Sequence, residues 1–280
     1  MILNIIVNYY NESDVINYLN DINNQKNLPT LKVLLVDNSQ SFSKKKILNS
    51  FNNFEIIFLN PKTNLGYYGA AKYGYDYYCE NFPTPDVTII SNTDIQFLDG
   101  FFFSKLEKIY NQDKETILSP LVLRGKVKRE WFAHTVSRPT IKRVKFLKFL
   151  LDYKLSSYAY NYLSLYKQLL TDLLIQFVKK LGYQINYTKN SKFIYAPNGA
   201  FTILPRSFFD RGGSLKLFCF LYGEEIFIAE QAIRLNLKIQ YNINLKLLHY
   251  GNATLNIHNN KKILLWKKDA VNCYFKKYFL

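Results

Sequence analysis

The stretch IISNTDIQF, residues 89–97, begins as an apolar strand and ends in a group of polar side chains. Two isoleucines, which are β-branched and favour strands, are followed directly by Ser91, Asn92, Thr93 and Asp94. An ordinary turn is one interpretation, because serine, asparagine and aspartate all favour turns. A ligand site is the other, because open α/β sheets bind ligands at the carboxyl ends of their strands. The neighbouring strands decide between the two interpretations.

Three upstream segments repeat the pattern of an apolar strand that ends in a polar residue. They are ILNIIVN, LKVLLVD and FEIIFLN, and they end in Asn8, Asp37 and Asn60. Segments with apolar residues at helical spacing precede the second and the fourth strand. This alternation predicts an α/β fold with a mostly parallel sheet flanked by helices. Since parallel strands end at one edge of a sheet, we expect the polar groups to meet there.

The second half of the chain predicts more helix and two further strands. Residues 139–182 are expected to form a helical insertion, in which YNYLSLYKQLLTDLLIQFVKKLGY carries an amphipathic stripe. The segments FIYAPNGAFTILP and KIQYNINLKLLH are predicted to be strands, and residues 256–280 a basic amphipathic helix. With neither a repeat nor a disordered linker, the 280 residues predict one elaborated domain, or one domain with a small helical addition.

Positive charge is concentrated in one part of the chain. The net charge is +16, and between Arg124 and Lys148 nine basic residues stand against Glu130 alone, so nine minus one, or half of the total, lies there. These nine are Arg124, Lys126, Lys128, Arg129, Arg138, Lys142, Arg143, Lys145 and Lys148. Such a segment favours a partner that carries phosphate, namely nucleic acid, anionic lipid or a phosphorylated substrate.

The cysteines and the apolar runs indicate the compartment. Cys79, Cys219 and Cys273 are far apart, which argues against a disulfide scaffold or a zinc site and fits a reducing cytosol. The sequence contains neither a secretory signal nor a long uninterrupted apolar run, so we expect a cytoplasmic protein without a transmembrane helix. Basic residues beside apolar ones in residues 124–182 and in the C-terminal helix also predict contact with an anionic membrane surface, the inner face of the cell membrane. An ordinary packing face is the alternative.

Taken in order, several segments resemble the family 2 glycosyltransferases of the GT-A fold. The segments are IIVNYYNESDV, LLVDNSQ, NLGYYGAAKYG, ISNTDI, NGAFTILPRSFF, FLYGEEIFIAE and LLHYGNAT. Such enzymes, rhamnosyltransferases among them, build bacterial surface polysaccharides such as lipopolysaccharide or capsule from nucleotide sugars. The resemblance covers most of the chain and implies a single GT-A domain over residues 1–280. It assigns residues 1–100 to donor binding, 101–255 to acceptor binding and 256–280 to a basic helix.

The resemblance also implies which residues bind a nucleotide-diphosphate sugar and its metal. The donor would contact Asn8, Asn11, Glu12, Asp37, Asn64, Gly66, Asn92 and Thr93. Asp94 and His249 would hold a divalent metal, Mg²⁺ or Mn²⁺, which stabilises the leaving diphosphate. The family's metal motif is Asp-x-Asp, and with Asn92 at its first position Asp94 is the single carboxylate of the motif. For Asp37 and His249 a purely structural role is the alternative.

An acidic pair is the candidate for catalysis. The resemblance implies that Glu225 is the general base of an inverting transfer, with Glu224 as the second choice, because the family's base is the second residue of an acidic pair. A positioned carboxylate can take the proton of an acceptor hydroxyl as it attacks the anomeric carbon. Because adjacent helical residues face different ways, we expect one acid to face the cleft and the other to cap the helix or hold a positive group. The alternative is that both only stabilise the helix N-terminus.

The resemblance therefore implies an inverting hexosyl- or deoxyhexosyltransferase. Its acceptor would be a glycan or a polyprenyl-diphosphate-linked molecule, and we expect no nucleic acid as a partner. Two alternatives stay open. One is a basic nucleic-acid-binding protein, suggested by the net charge and the abundance of tyrosine and phenylalanine. The other is a nucleotidyltransferase that acts on sugar phosphates.

Overall fold

The computed structural model describes residues 1–42, 51–125, 128–130, 136–181, 188, 190–251 and 260–280. Lys126 of the basic segment, residue 182 and residues 256–259 of the predicted C-terminal helix lie outside the described residues. The strands are β1 (Ile2–Asn8), β2 (Leu31–Asp37), β3 (Glu55–Leu59), β4 (Val87–Asn92), β5 (Ile95–Phe97), β6 (Ile117–Arg124), β7 (Arg129–Glu130), β8 (Lys192–Ile194), β9 (Phe201–Pro205) and β10 (Ile239–His249). The helices are α1 (Glu12–Asn23), α2 (Tyr67–Asn81), α3 (Phe102–Gln112), α4 (Ile141–Asp152), α5 (Lys154–Lys180), α6 (Arg206–Asp210), α7 (Glu224–Arg234) and α8 (Asn260–Tyr278).

The described strands join one mixed sheet. Its order is β3-β2-β1-β4-β9-β6-β10-β5, with β7 paired to β6 and β8 paired to β10. β1 pairs in parallel with β2 and β4, and β2 with β3, so the strands predicted from the N-terminal part lie side by side. β9 enters antiparallel between β4 and β6, and β10 runs parallel to β6. The predicted α/β fold, with a mostly parallel sheet flanked by helices, is confirmed.

Helices cover both faces of the sheet because its central strands are apolar on both sides. One hydrophobic cluster joins α2 and α7 to one face, and a second cluster joins α1 and α3 to the other. Gly74 lets α2 lie close to the sheet, since a Cβ there would come within 2.6 Å of Leu34 Cδ2. Because α2 follows β3, its N-terminal end lies at the edge where the parallel strands end.

The predicted helical insertion consists of α4 and α5, and the predicted basic C-terminal helix is α8. The apolar side of α8 faces the protein, where Leu264, Tyr274 and Phe275 are buried against Val144 and Leu151 of α4. These α8 residues are therefore covered by α4 rather than open to a membrane, whereas Leu265 of the same helix is 50% exposed, and contact of α8 with a membrane stays a prediction. In the part of the chain that the structure describes, no helix is both long and apolar enough to cross a membrane. The division into donor and acceptor halves stays a prediction.

Candidate active site

The carboxyl ends of β1 and β2 are tied together by a buried carboxylate. Asp37 is fully buried. Its carboxylate accepts hydrogen bonds from Asn8 Nδ2 at 2.8 Å and from Phe42 N at 2.9 Å. Asn8 Oδ1 accepts a hydrogen bond from Asn11 N, just before α1, at 3.0 Å. Asn8 and Asp37 therefore order the loops at this edge, while nucleotide contacts by these residues, and by Glu12 at the start of α1, stay predictions.

The loop before α2 is anchored by Asn38, whose only sequence signal is its place after a strand-ending aspartate. Asn38 Nδ2 donates to Gly66 O at 2.9 Å, and Asn38 Oδ1 accepts from Leu65 N at 3.2 Å. Asn64 Oδ1 accepts a hydrogen bond from Gly66 N at 2.9 Å. Gly66 has a φ of 74°, and a Cβ there would overlap the backbone carbonyl of Phe220. Glycine is therefore required at this point to let the loop before α7 meet the loop before α2.

The turn after β4 brings a carboxylate next to an imidazole. β5 pairs antiparallel with β10, which places His249 opposite Ile95. Asp94 and His249 are both buried, and Asp94 Oδ1 lies 3.1 Å from His249 Nε2. Asp94 Oδ2 accepts a hydrogen bond from Gly251 N at 3.0 Å. Burial acts to raise the pKa of Asp94, but His249 and the Gly251 amide outweigh it and hold this pKa below its usual value.

The Asp94–His249 pair fits a divalent cation. It supplies a carboxylate oxygen, the ligand type that Mg²⁺ and Mn²⁺ prefer, and an imidazole nitrogen. Asn92 Nδ2 lies 3.4 Å from His249 Nε2, and Thr93 is buried in the same turn. Across the described ranges, no group of three histidine, cysteine or acidic side chains could hold a metal by itself. A divalent ion held by this pair would take its remaining ligands from water or from a bound substrate, as is usual for Mg²⁺.

Arg124 places a positive charge beside this pair. The register of β6 and β10 sets Arg124 opposite His249, and a Cβ on Gly251 would lie 3.2 Å from Arg124 Nε. Burial and the neighbouring Arg129 lower the pKa of Arg124. An arginine stays charged in proteins despite such effects. The sequence marked Arg124 only as part of a basic segment, because its proximity to His249 arises from strand pairing.

The acidic pair, Glu224 and Glu225, opens α7, and both carboxylates point at the same place. A Cβ on Gly199 would lie 2.7 Å from Oε1 of Glu224 and 2.7 Å from Oε1 of Glu225. The expectation that one acid turns away is wrong, because Gly199 leaves room for both flexible side chains. Burial and the charge of Glu225 raise the pKa of Glu224 well above its usual value. The pair therefore favours a state in which the two carboxylates share one proton.

The acidic pair and the Asp94–His249 pair lie at the same edge of the sheet. Asn92 N, at the end of β4, donates to Ala200 O at 2.9 Å. This bond puts Gly199, and with it the acidic pair, beside the turn that carries the Asp94–His249 pair. Asn198 is buried and fixes this loop, since its Oδ1 accepts a hydrogen bond from Ala200 N at 3.0 Å.

Three tyrosines that the sequence did not single out complete this edge. Burial raises the pKa of Tyr67, at the start of α2, well above its usual value, and the charges of Glu224 and Asp94 raise it further. The buried Tyr67 hydroxyl has no hydrogen-bond partner among the described residues, so it is available to a ligand that lies between the two pairs. Tyr9 and Tyr10, after β1, are 39% and 65% exposed, with ring centroids 4.7 Å apart. They present aromatic surface at the mouth of the site.

Gly199→Ala is expected to lower turnover by about 10- to 100-fold, because a misplacement of about 1 Å is enough for such a loss. The new Cβ would displace both carboxylates of the acidic pair. Stability should change little, since the displaced atoms are the ends of flexible side chains. Gly100→Ala is the matched control, because a Cβ at Gly100 meets nothing within 4 Å. Initial rates and thermal unfolding of both variants test this, and equal rates for the two would contradict it.

Glu224→Gln is expected to stabilise the fold at neutral pH and to change little near pH 4. The pKa of Glu224 is raised in the folded chain, above the usual value of about 4.3, so folding favours the protonated form. That contribution is complete below the usual pKa and is lost as pH rises through the raised pKa. Glutamine is neutral throughout and does not lose it. Urea unfolding at both pH values measures the difference, with Glu107→Gln on the exposed side of α3 as control. An effect that is the same at both pH values would contradict the raised pKa.

Several solved structures have a fold similar to that of this chain. No protein-family model matches the sequence, and no curated protein matches it. The chain aligns with GalNAc-T7, solved with UDP, GalNAc and Mn²⁺, at a TM-score of 0.55 and 12% identity, over 89% of this chain and 44% of that one. It aligns with S. aureus TarS 1-349 in complex with UDP at a TM-score of 0.54 and 13% identity, over 99% of this chain and 72% of that one. It aligns with the mannosyltransferase PcManGT from Pyrobaculum calidifontis, in complex with GDP-Man and Mn²⁺, at a TM-score of 0.54 and 9% identity. This alignment covers 99% of this chain and 64% of that one.

These neighbours are GT-A glycosyltransferases, and similarity at such low identity shows the fold. The chain therefore has the GT-A fold that the resemblance implied. It spans less than half of GalNAc-T7, at 44%, and of the longer S. aureus TarS structure, at 43%. The nucleotides, the sugar and the metal named above belong to those structures.

Proposed function

We propose that this chain is a glycosyltransferase that moves a sugar, with inversion, from a nucleotide-diphosphate sugar to an acceptor hydroxyl. The observation that carries the proposal is the acidic pair at the same sheet edge as the Asp94–His249 pair. Inverting transfer needs a base on one side of the anomeric carbon and positive charge at the leaving diphosphate on the other. The two pairs are suited to these two roles, and the GT-A fold supports the same chemistry.

On the leaving-group side, Asp94 and His249 would hold a divalent ion, Mg²⁺ or Mn²⁺. When bound, such an ion supplies positive charge to the departing diphosphate oxygen. Arg124 lies beside this pair and contributes fixed positive charge of its own. Its planar guanidinium can donate to two phosphate oxygens at once, which would orient the diphosphate.

On the acceptor side, Glu225 is the base and Glu224 is its protonated partner. The raised pKa of Glu224 supports one protonated and one ionised carboxylate in this pair, and the proposal places the ionised base at Glu225, the second residue of the pair. As the acceptor oxygen bonds to the anomeric carbon, its proton passes to Glu225 and the bond from that carbon to the diphosphate oxygen breaks. Attack opposite the leaving group inverts the configuration. The Tyr67 hydroxyl is placed to donate a hydrogen bond to the donor between the two pairs.

The donor nucleoside would lie over the ends of β1 and β2 and the loop before α2. The exposed rings of Tyr9 and Tyr10 suit stacking on a nucleobase, which has a π-face whatever its identity. Polar groups for the ribose and base would come from Asn11 and Glu12, which follow these tyrosines in the chain. A third would come from Asn64, which is exposed before α2. In this proposal Asn8, Asp37 and Gly66 act by shaping these loops, while Asn92 and Thr93 face the sugar and the diphosphate.

We also propose membership of the family 2 glycosyltransferases and a role in bacterial cell-surface polysaccharide synthesis. The order and spacing of the segments from IIVNYYNESDV to LLHYGNAT support this proposal. The acceptor would be a glycan or a polyprenyl-diphosphate-linked molecule, since the positive charge between Arg124 and Lys148 favours a phosphorylated partner. The transferred sugar would be a hexose or a deoxyhexose.

Thermal shift with a panel of nucleotides tests the proposal directly. The panel comprises UDP, GDP and dTDP, each with Mn²⁺, with Mg²⁺ and with chelator, and single-stranded oligonucleotides. We expect one nucleoside diphosphate to raise the melting temperature in a metal-dependent way, followed by release of that diphosphate from the matching sugar donor. Stabilisation by oligonucleotides alone, without any response to a nucleoside diphosphate, would contradict the proposal and favour a nucleic-acid-binding protein.

A further inference from the structure

Helix α5 is turned with its polar side toward the protein and its apolar side toward solvent. Its buried side chains are Ser157 and Asn161, and Asn161 Oδ1 accepts a hydrogen bond from Lys267 Nζ of α8 at 3.2 Å. Asp172 Oδ1 forms an ion pair with Arg129 Nη1 at 3.1 Å, which ties α5 to β7. An ordinary surface helix does the reverse and buries its apolar stripe.

The outward side of α5 is a continuous apolar stripe. Leu155, Leu163, Tyr166, Leu169, Leu173 and Phe177 recur at helical spacing and are 52–86% exposed. The helix has 27 residues, so it is about 40 Å long. Large contiguous apolar patches on soluble proteins mark interaction sites, because exposing them to water is unfavourable. The stripe therefore needs a covering partner.

Helix α4, which directly precedes α5 in the chain, also exposes aromatic side chains, and basic residues lie beside them. Phe146 and Phe149 are exposed, as are Lys142 and Lys145 on the same helix. We call the exposed sides of α4 and α5 together the α4–α5 surface. Basic side chains among exposed aromatic ones are typical of helices that lie in a membrane interface.

The charge of the α4–α5 surface is predominantly positive. Residues 141–180 contain eight basic and two acidic residues. Both acids are already in ion pairs within the chain: Asp152 with Lys148 at 2.5 Å and with Lys268 at 3.2 Å, and Asp172 with Arg129. A second copy of this chain would bring a like-charged surface against it, which is unfavourable. Anionic lipid would instead neutralise the lysines and accept the apolar side chains.

We propose that the α4–α5 surface docks on an anionic membrane, with α5 lying in the plane of the bilayer interface. The stripe enters the boundary between headgroups and acyl chains, while Lys142 and Lys145 contact lipid phosphates. This inference goes beyond the proposed sugar transfer and does not require it. Of the two segments expected from the sequence to contact a membrane, residues 124–182 and the C-terminal helix, it selects the first, because most of the apolar side of α8 is buried.

Flotation of the full chain with phosphatidylcholine vesicles, with and without phosphatidylglycerol, tests this proposal. We expect binding to the anionic vesicles at low salt, weaker binding at high salt, and none to the neutral vesicles. The double variant Leu163→Gln, Leu173→Gln should lower the bound fraction at least about tenfold, because both side chains are proposed to insert. The matched control is Ile233→Gln, Leu280→Gln, which changes residues exposed to a comparable degree, at 56% and 86%, outside the α4–α5 surface.

Three outcomes would overturn the proposal. One is the absence of binding to anionic vesicles at low salt. A second is equal binding by the α5 variant and its control, which would leave only a general attraction of the net charge. The third is a dimer in light scattering that the α5 variant dissolves, since a second copy would then cover the stripe. Circular dichroism of both variants checks that the fold is retained, so that lost binding reports the surface itself.

Discussion

Glu225→Gln is expected to lower turnover by about 10²- to 10⁴-fold while donor binding stays unchanged. Glutamine keeps the size of the side chain over Gly199 but cannot take the proton of an acceptor hydroxyl. Nucleotide binding should be retained because Tyr9, Tyr10 and Asn64 lie in loops that the substitution does not alter. Steady-state rates with the donor found in the nucleotide panel, together with its affinity by calorimetry, separate the loss of a base from a loss of binding.

Glu224→Gln is the matched control for this experiment. Glutamine resembles a protonated glutamate, the form that the proposal gives to Glu224, whose pKa is raised by burial and by the charge of Glu225. Turnover of Glu224→Gln should therefore stay within about tenfold of the unmodified chain. The opposite ranking, with Glu224→Gln inactive and Glu225→Gln active, would exchange the two roles. Near-normal turnover in both variants would refute a catalytic acidic pair altogether.

The parts of the fold that depend on local sequence patterns could be predicted. LKVLLVD is apolar on both faces because β2 is covered by helices on both sides, so the parallel part of the sheet was readable from composition. The insertion of β9 between β4 and β6 was not, because antiparallel entry depends on long-range pairing such as Ser91 with Phe201. The sequence also did not show which helices would bury their apolar stripes and which would expose them. The apolar stripes of α5 and α8 look alike in sequence, yet α4 covers the stripe of α8 and leaves that of α5 exposed.

The candidate site shows the same limit. Asp94 and the acidic pair could be picked out because strand ends and family-like segments mark them. Arg124 could not, because it reaches His249 only through the pairing of β6 with β10. The shared direction of Glu224 and Glu225 also escaped prediction, because it depends on the missing side chain of a glycine in another segment. Residues marked by a strand end or a family-like segment were therefore predictable, whereas the position of Arg124 and the shared direction of the acidic pair, which depend on other elements, were not.

Asp94→Asn is expected to lower turnover by about 10²- to 10³-fold, because it weakens stabilisation of charge on the leaving diphosphate. The substitution keeps the shape of the side chain, and an amide oxygen can still accept the hydrogen bond from Gly251 N. What it removes is the negative charge beside His249 Nε2, which a divalent cation would need. The fold should therefore persist while the affinity for Mn²⁺ falls.

Titration with Mn²⁺ followed by electron paramagnetic resonance measures that affinity without reference to turnover, and transfer rates measure the consequence. Asp99→Asn is the control, since Asp99 pairs with Lys105 at 3.0 Å and is not among the residues of the candidate site. Asp99→Asn should bind Mn²⁺ and turn over like the unmodified chain. A chelator should reduce the unmodified chain to the rate of Asp94→Asn and should leave the variant unchanged. If the unmodified chain were indifferent to chelator, the charge at the diphosphate would have to come from Arg124, and Arg124→Gln would then show the larger loss.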